Sequence, residues 1–308
     1  MADKILDSVI IGTGPAGLSA AVYAERAGLD FRIFEKFPMS GGQIVNTGEV
    51  ENYLGFSSIG GFELSQRFYE HSLAVGVKIE NAEITAVKKN EGIFEIESLS
   101  GESIYSKTVI AATGAVSKKL NVPGEAEFTG KGVSYCAHCD GAFYKGKKAA
   151  VIGGGDTAVC DAIYLSNICS KVYVIIRRDA FRAAESLVKK LKSLSNVQII
   201  QNSIIKEIKG QQKLTSIVLE NVSDKKKTTL DTDGVFIAVG ITPVSELFKD
   251  TAKTDRAGFI CADEDCKTSL SGLFAAGDVR TKPLRQIVTA VADGANAVYS
   301  AEKYIREM

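Results

Sequence analysis

Histidine and proline are scarce in this chain: His71 and His138 are the only histidines, and five prolines serve 308 residues. With so few imidazoles, a mechanism built on a remote histidine acid would have to use His71. That residue falls within an amphipathic helical pattern running from Phe62 to Val75, where a structural role is expected. Neither sign of charge is in excess, with 37 Lys and Arg against 37 Asp and Glu, so there is no field to gather phosphate backbones or anionic lipid. Nucleic acid and membrane partners are therefore not expected. No apolar run reaches the roughly 18 to 20 residues that cross a bilayer, and Asp3, Lys4 and Asp7 crowd the start of the chain. The chain reads as lacking a secretion leader, which predicts a cytoplasmic protein.

Glycine, in contrast, is abundant at 29 residues. With so little proline, that implies close backbone approaches within regular structure rather than flexible linkers. At about 150 residues per domain, the length suggests two domains. Six cysteines without a leader point to reduced thiols or to redox chemistry.

One supersecondary unit occurs twice. The apolar run Val9–Ile11 leads into Gly12-Thr13-Gly14-Pro15-Ala16-Gly17, a small-residue helical stretch follows, and a second strand, Phe31–Phe34, ends at Glu35, 23 residues after Gly12. Gly12 suits the tight turn, Gly14 the approach of a pyrophosphate and Gly17 close helix–strand packing. Pro15 suits a first helical turn, where its missing N–H has no intrahelical partner. The free N–H groups of such a helix start, together with its dipole, favour phosphate. Glu35 stands where a carboxylate can accept from an adenosine ribose. The unit returns at Ala149–Ile152, with Gly153-Gly154-Gly155-Asp156-Thr157-Ala158 and a strand from Val172 to Ile176 that runs into Arg177-Arg178, with Arg182 four residues on. Guanidinium groups in place of the acid suit a 2′-phosphate through charge-assisted bonds. The pair of units predicts two nucleotide sites, the first for a dinucleotide with a free ribose and the second for NADP(H).

Alternating stretches predict antiparallel strands at Ile84–Val87 and Ile93–Glu97, and hairpin strands at Ser203–Lys209 and Leu214–Glu220, with Lys225-Lys226-Lys227 at a solvated turn. Val109–Gly114 and Gly234–Gly240 read as short buried strands. A further strand ending in Gly277-Asp278 and a last helix from Leu284 to Glu307 are expected to return to the first domain, making the second an insertion. The predicted fold is α/β, with two Rossmann-like dinucleotide-binding domains. Their segments are 1–117, 118–244 and 245–308, the middle one being the insert.

The middle segment carries Cys136-Ala137-His138-Cys139-Asp140. Two intervening residues let the sulfurs bond, so the motif reads as a dithiol/disulfide pair. Half of a zinc site is the competing reading, weakened because the other near-spaced pair, Cys261 and Cys266, offers a four-residue gap and no histidine. Cys160 and Cys169 are expected to be buried and inert. Asp140 is the candidate to donate a proton to a departing thiolate.

In this order, the motifs Gly12–Gly17, Gly41-Gly42-Gln43, Thr113-Gly114, Cys136–Asp140, Gly153–Ala158, Arg177-Arg178 with Arg182, and Gly277-Asp278 with Arg285-Gln286 resemble the bacterial-type, low-molecular-weight thioredoxin reductases over nearly the whole chain. The resemblance implies a homodimeric flavin enzyme that passes electrons from NADPH through FAD and the Cys136/Cys139 disulfide to thioredoxin or a thioredoxin-like protein. It implies Cys139 as the sulfur nearer the flavin. It places Gly12, Gly14, Pro15, Ala16, Gly17, Glu35, Gly42, Gln43, Asn52, Thr113, Gly114, Gly277, Asp278, Arg285, Gln286 and Ile287 at FAD, and Gly153, Gly155, Asp156, Thr157, Arg177, Arg178 and Arg182 at NADPH, with no metal. Two departures stand out. Ile176 replaces a histidine the family commonly has before its arginine pair, which would weaken the preference for NADPH, and the charge of His138 would stabilise a neighbouring thiolate. A ferredoxin-linked reductase with a vestigial NADPH site and a non-catalytic redox sensor are the alternatives.

Overall fold

The computed structural model describes residues 4–47 and 49–308, so Asp3 lies outside it. The chain forms two compact units: residues up to 47 with 52–116 and 242–308, and residues 49–51 with 117–241.

The first unit begins with β1 (Ile5–Ile11), α1 (Pro15–Arg26) and β2 (Phe31–Glu35), and continues through α2 (Gly61–Ala74), β3 (Ile79–Asn81), β4 (Ile84–Asn90), β5 (Ile93–Ser98) and β6 (Ser103–Ala111). Its sheet runs β3-β2-β1-β6-β5-β4. The first three joins are parallel and the last two antiparallel. Side chains alternate across a strand, and β1 uses both faces: Val9 and Ile11 enter one apolar cluster with Phe34, Phe94 and Ile96, while Ile10 enters another with α1. Burial on both faces is why the strand reads as a continuous apolar run.

The second unit contains α3 (Ala137–Asp140), β7 (Lys148–Ile152), α4 (Asp156–Ser166), β8 (Lys171–Ile175), α5 (Glu185–Lys192) and β9 (Val197–Ile200). An antiparallel sheet of β10 (Ser203–Gly210), β11 (Leu214–Asn221) and β12 (Lys227–Asp231) follows, then β13 (Gly234–Ile237). The parallel sheet has β13, β7, β8 and β9 in that order, with Val133–Ser134 at the β13 edge. Along β7, Ala149 and Val151 pack toward α4, while Ala150 and Ile152 meet Ile205, Ile217 and Leu219 of the antiparallel sheet. Lys225 takes a left-handed turn at φ +59°, and Lys227 already belongs to β12.

The last two elements, β14 (Leu273–Ala275) and α6 (Ile287–Glu307), complete the first unit. β14 pairs in parallel with β6, Phe274 opposite Ile110. α6 lies on α1 through small residues: a Cβ on Gly294 would stand 2.2 Å from the Ala16 carbonyl oxygen, an impossible distance. α6 begins at Ile287 rather than Leu284, because Gln286 and Thr289 form a reciprocal capping box at that point.

Candidate functional site: two glycine turns and a disulfide

In the first unit two glycines of the turn after β1, Gly12 and Gly17, are enforced by their surroundings. Gly12 has φ +104°, and a Cβ on Gly17 would stand 1.8 Å from the Gly12 carbonyl oxygen. Gly14 is the N-cap of α1 and Pro15 its first residue, and no side chain caps the helix. The amino-terminal end of α1 thus keeps N–H groups that no side chain caps, the arrangement that suits an anion. Ala16 lies in its first turn. Glu35, at the end of β2, is held rigidly: Oε2 accepts from the Thr13 N–H at 3.0 Å and from its hydroxyl, and Oε1 accepts from the Phe37 N–H. The remaining lone pairs of that carboxylate can accept from sugar hydroxyls.

Around this turn the fold gathers the other residues singled out from the sequence. Gly41 donates to the Thr13 carbonyl, and Gly42 and Gln43 open a short 3₁₀ turn in which a Cβ on Gly42 would stand 3.2 Å from Gly14 Cα. Asn52 donates its side-chain amide to Gln286 Oε1 at 3.0 Å. The Thr113 hydroxyl donates to the Val244 carbonyl, which fixes the chain beside Gly114. The strand expected to end in Gly277-Asp278 stops at Ala275, and Gly277–Val279 form a 3₁₀ turn, with a Cβ on Gly277 only 2.9 Å from Ala16 Cβ. Asp278 presents a buried Oδ1 with no hydrogen-bond partner among the described residues, and burial raises its carboxyl pKa against the lowering pull of Lys282 and Arg285. An orphaned acceptor beside a glycine cradle fits a hydroxyl-bearing cofactor. Arg285 stacks on Phe259, 4.1 Å from the ring centre, and donates to the Lys282 and Arg280 carbonyls; its guanidinium is occupied by protein. Ile287 is the first residue of α6.

In the second unit Gly153 has φ +144°, and a Cβ there would lie 2.2 Å from the Ala238 carbonyl oxygen. Gly155 caps α4 with open space around it, and Thr157 is exposed in the first turn. Asp156 Oδ1 accepts the Ala184 N–H at 2.8 Å, and the Arg182 N–H donates to the Gly154 carbonyl at 2.7 Å. These two bonds fold the segment after β8 back over the glycine turn. Arg177, Arg178 and Arg182 are all exposed, and none forms an ion pair among the described residues. Ile176 points the other way, 2% exposed in the core against Gly154, so its side chain is packing rather than a vacant polar position.

Cys136 and Cys139 form a disulfide across α3, and Cys136 Sγ accepts the Cys139 N–H at 3.2 Å. Both sulfurs are thereby committed to each other, and Cys261 and Cys266 belong to the other unit. Among the described residues no three His, Cys, Asp or Glu are placed to hold a metal. His138 is exposed and lies against Tyr164, ring centres 4.2 Å apart. Asp140 has a buried Oδ1 without a partner among the described residues, and burial raises its pKa, opposed by a hydrogen bond from Ser134. A carboxyl so placed holds its proton to higher pH than an exposed one, as a general acid requires.

One cysteine expectation changes. Cys160 is exposed, because positions 156, 157 and 160 form the outer face of α4 while 158, 159, 162 and 165 form the inner one. Its thiol pKa is nevertheless raised, by partial burial and by Asp161 and Asp156, so exposure brings no thiolate. Cys169 is buried as expected, its pKa pushed up to about 11. His71 is exposed on α2. The sequence reading missed Asp161, buried on the inner side of α4, and Asp293 of α6, whose ion pairs with Arg280 and Lys282 stand beside Gly277. Inner-face spacing on each helix was the available signal.

A disulfide in a two-turn nucleotide fold narrows the possible relatives, and residues 6–294 match the pyridine nucleotide-disulphide oxidoreductase family. The chain belongs to that family. Members of the family are flavin and pyridine nucleotide enzymes. Among them, the thioredoxin reductases of Listeria innocua and Bacillus subtilis are 43% and 41% identical over 307 residues, covering 99% of this chain and 96% of each relative. The crystal structure of thioredoxin reductase from Streptococcus pyogenes matches with a TM-score of 0.93 at 41% identity, over 100% of both chains. Among the described residues no helix is long and apolar enough to cross a membrane.

Proposed function

We propose that the protein is an NADPH-dependent, FAD-containing thioredoxin reductase. In this reading residues 1–117 and 245–308 hold FAD, residues 118–244 hold NADPH and the redox pair, and the protein works as a homodimer in the cytoplasm. One observation carries it: the Cys136–Cys139 disulfide lies in the same unit as a glycine turn overlaid by three arginines without acidic partners. Exposed arginines need no carboxylate partner, but three clustered guanidiniums following β8 suit the bidentate recognition of a 2′-phosphate.

FAD, when bound, supplies two-electron transfer between a nicotinamide and a disulfide. The chain's own residues orient and exclude. The amino-terminal end of α1 and Gly12–Gly17 receive a pyrophosphate, Glu35 accepts from the ribose, and Asp278 Oδ1 accepts from a further hydroxyl. In the reduced pair, one thiolate attacks the disulfide of thioredoxin to give a mixed disulfide. The second cysteine then closes the Cys136–Cys139 bond and releases thioredoxin as a dithiol. Asp140 donates the proton taken up by a leaving thiolate.

The test is NADPH oxidation followed at 340 nm with thioredoxin as the only acceptor. Turnover that depends on thioredoxin supports the reading; oxidation that is indifferent to it removes thioredoxin as the acceptor.

A further inference from the structure

The turn that presents Asp278 is held from outside itself. Gly277 has φ +78° and sits against Ala16 of α1, where only glycine fits. The anchor is Asp293, almost two turns into α6 and 5% exposed. Its Oδ2 accepts the Gly277 N–H at 2.9 Å, Arg280 Nε at 2.9 Å and Lys282 Nζ at 2.7 Å, and its Oδ1 accepts Arg280 Nη2 at 3.0 Å. Arg280 is then tied to the Asp263 carbonyl at 3.0 Å, and Lys282 to the Thr289 carbonyl at 3.2 Å. One carboxylate therefore organises the backbone just before Asp278 and both cations just after it.

The charges in this cluster are unequal. Asp293 is a single anion facing two cations, whose side chains are only 10% and 5% exposed. Burying an unbalanced cation is costly unless a second anion shares it. Asp278 is one such group, within the electrostatic reach of Lys282 and four residues before it, and Asp263 acts on Arg280. Its Oδ1 nonetheless has no hydrogen bond from the described residues. The cluster thus fixes where Asp278 points while leaving its acceptor free.

We propose that Asp293, through Arg280 and Lys282, is a positioning residue for flavin binding: it locks the Gly277–Val279 turn so that the free Oδ1 of Asp278 meets a cofactor hydroxyl. The proposal rests on the reading that FAD occupies the first unit. It differs from a purely structural ion cluster in one measurable respect. A positioning cluster acts on FAD only through Asp278, whereas a structural one weakens the fold whether or not Asp278 is present.

The experiment is a double-mutant cycle on FAD affinity, measured by fluorescence of FAD added to flavin-stripped protein. Asp278→Ala and Asp293→Asn form the first cycle. Because removing Asp293 leaves two buried cations and can prevent folding, Asp278→Ala with Lys282→Met forms the second. Each single change is expected to raise the Kd for FAD about tenfold, and each double variant should be within about twofold of Asp278→Ala alone. Multiplying effects, about 100-fold in the double variants, would overturn the positioning role. A wild-type chain that binds no FAD would overturn the functional reading itself, and an unaltered Kd in Asp293→Asn and Lys282→Met beside a weakened Asp278→Ala would overturn only this inference.

Discussion

Asn52 and Gln286 are 234 residues apart in the chain and joined by a hydrogen bond of 3.0 Å. The resemblance assigns both to flavin, and they meet because both belong to the first unit, into which the second is inserted in sequence. Gln286 also caps α6, so the contact ties the Asn52 loop to the start of that helix. The purified protein is expected to be yellow, with about one FAD per chain. Gln286→Ala, which removes the contact and the cap together, should lower flavin retained through gel filtration; folded, colourless wild-type protein that cannot be reconstituted would contradict the assignment.

Changing Cys136 or Cys139 to Ser should abolish thioredoxin reduction while NADPH still bleaches the flavin, since the disulfide acts after it. Cys160→Ser should leave both reactions intact, because that thiol is exposed but kept protonated by burial and by Asp161 and Asp156. Loss of thioredoxin reduction in Cys160→Ser would mean the wrong cysteines have been chosen.

The arginines permit a quantitative test. A hydrogen bond to a charged group is worth about 1.5 to 3 kcal/mol, so Arg177→Ala or Arg178→Ala should weaken NADPH by roughly 10- to 100-fold. NADH, which lacks the 2′-phosphate, should change little. The ratio of kcat/KM for the two cofactors decides it, and equal losses would remove these residues from phosphate recognition.

Asp161 predicts a pH-dependent stability. Burial pushes its carboxyl up from 3.8 to about 6, so ionisation opposes folding. The penalty is absent below the unfolded value of 3.8, grows as pH rises, and is complete above about 6. Asp161→Asn should therefore be the more stable protein at pH 8, by on the order of 2 to 3 kcal/mol, and the gap should shrink as pH falls toward 4. Urea unfolding across that range measures it, and a difference that does not vary with pH would rule out the buried charge as its cause.

The strand–turn–helix–strand units were legible because hard contact dictates Gly12, Gly17 and Gly153, as the 1.8 Å clash awaiting a Cβ on Gly17 makes plain. The same holds for β1, whose apolar run reflects burial on both faces. Cys160 was misplaced because its helix was read for composition and not for its outward face at 156, 157 and 160. Inner-face spacing on α6 flags Asp293 as buried, but the cluster it organises was not legible. Its partners lie 11, 13 and 16 residues away, and nothing local pairs them until α6 folds back along α1. Ile176, where the family resemblance leads to a histidine, has its side chain in the core.

The central claim is that electrons enter from NADPH and leave to thioredoxin, and an anaerobic titration followed at the oxidised-flavin absorbance addresses it directly. NADPH should bleach the flavin within one turnover time, NADH should do so more weakly, and oxidised thioredoxin should restore the colour only when both Cys136 and Cys139 are present. Flavin that neither nucleotide bleaches, but that reduced ferredoxin does, would contradict the account and make this a ferredoxin-linked enzyme.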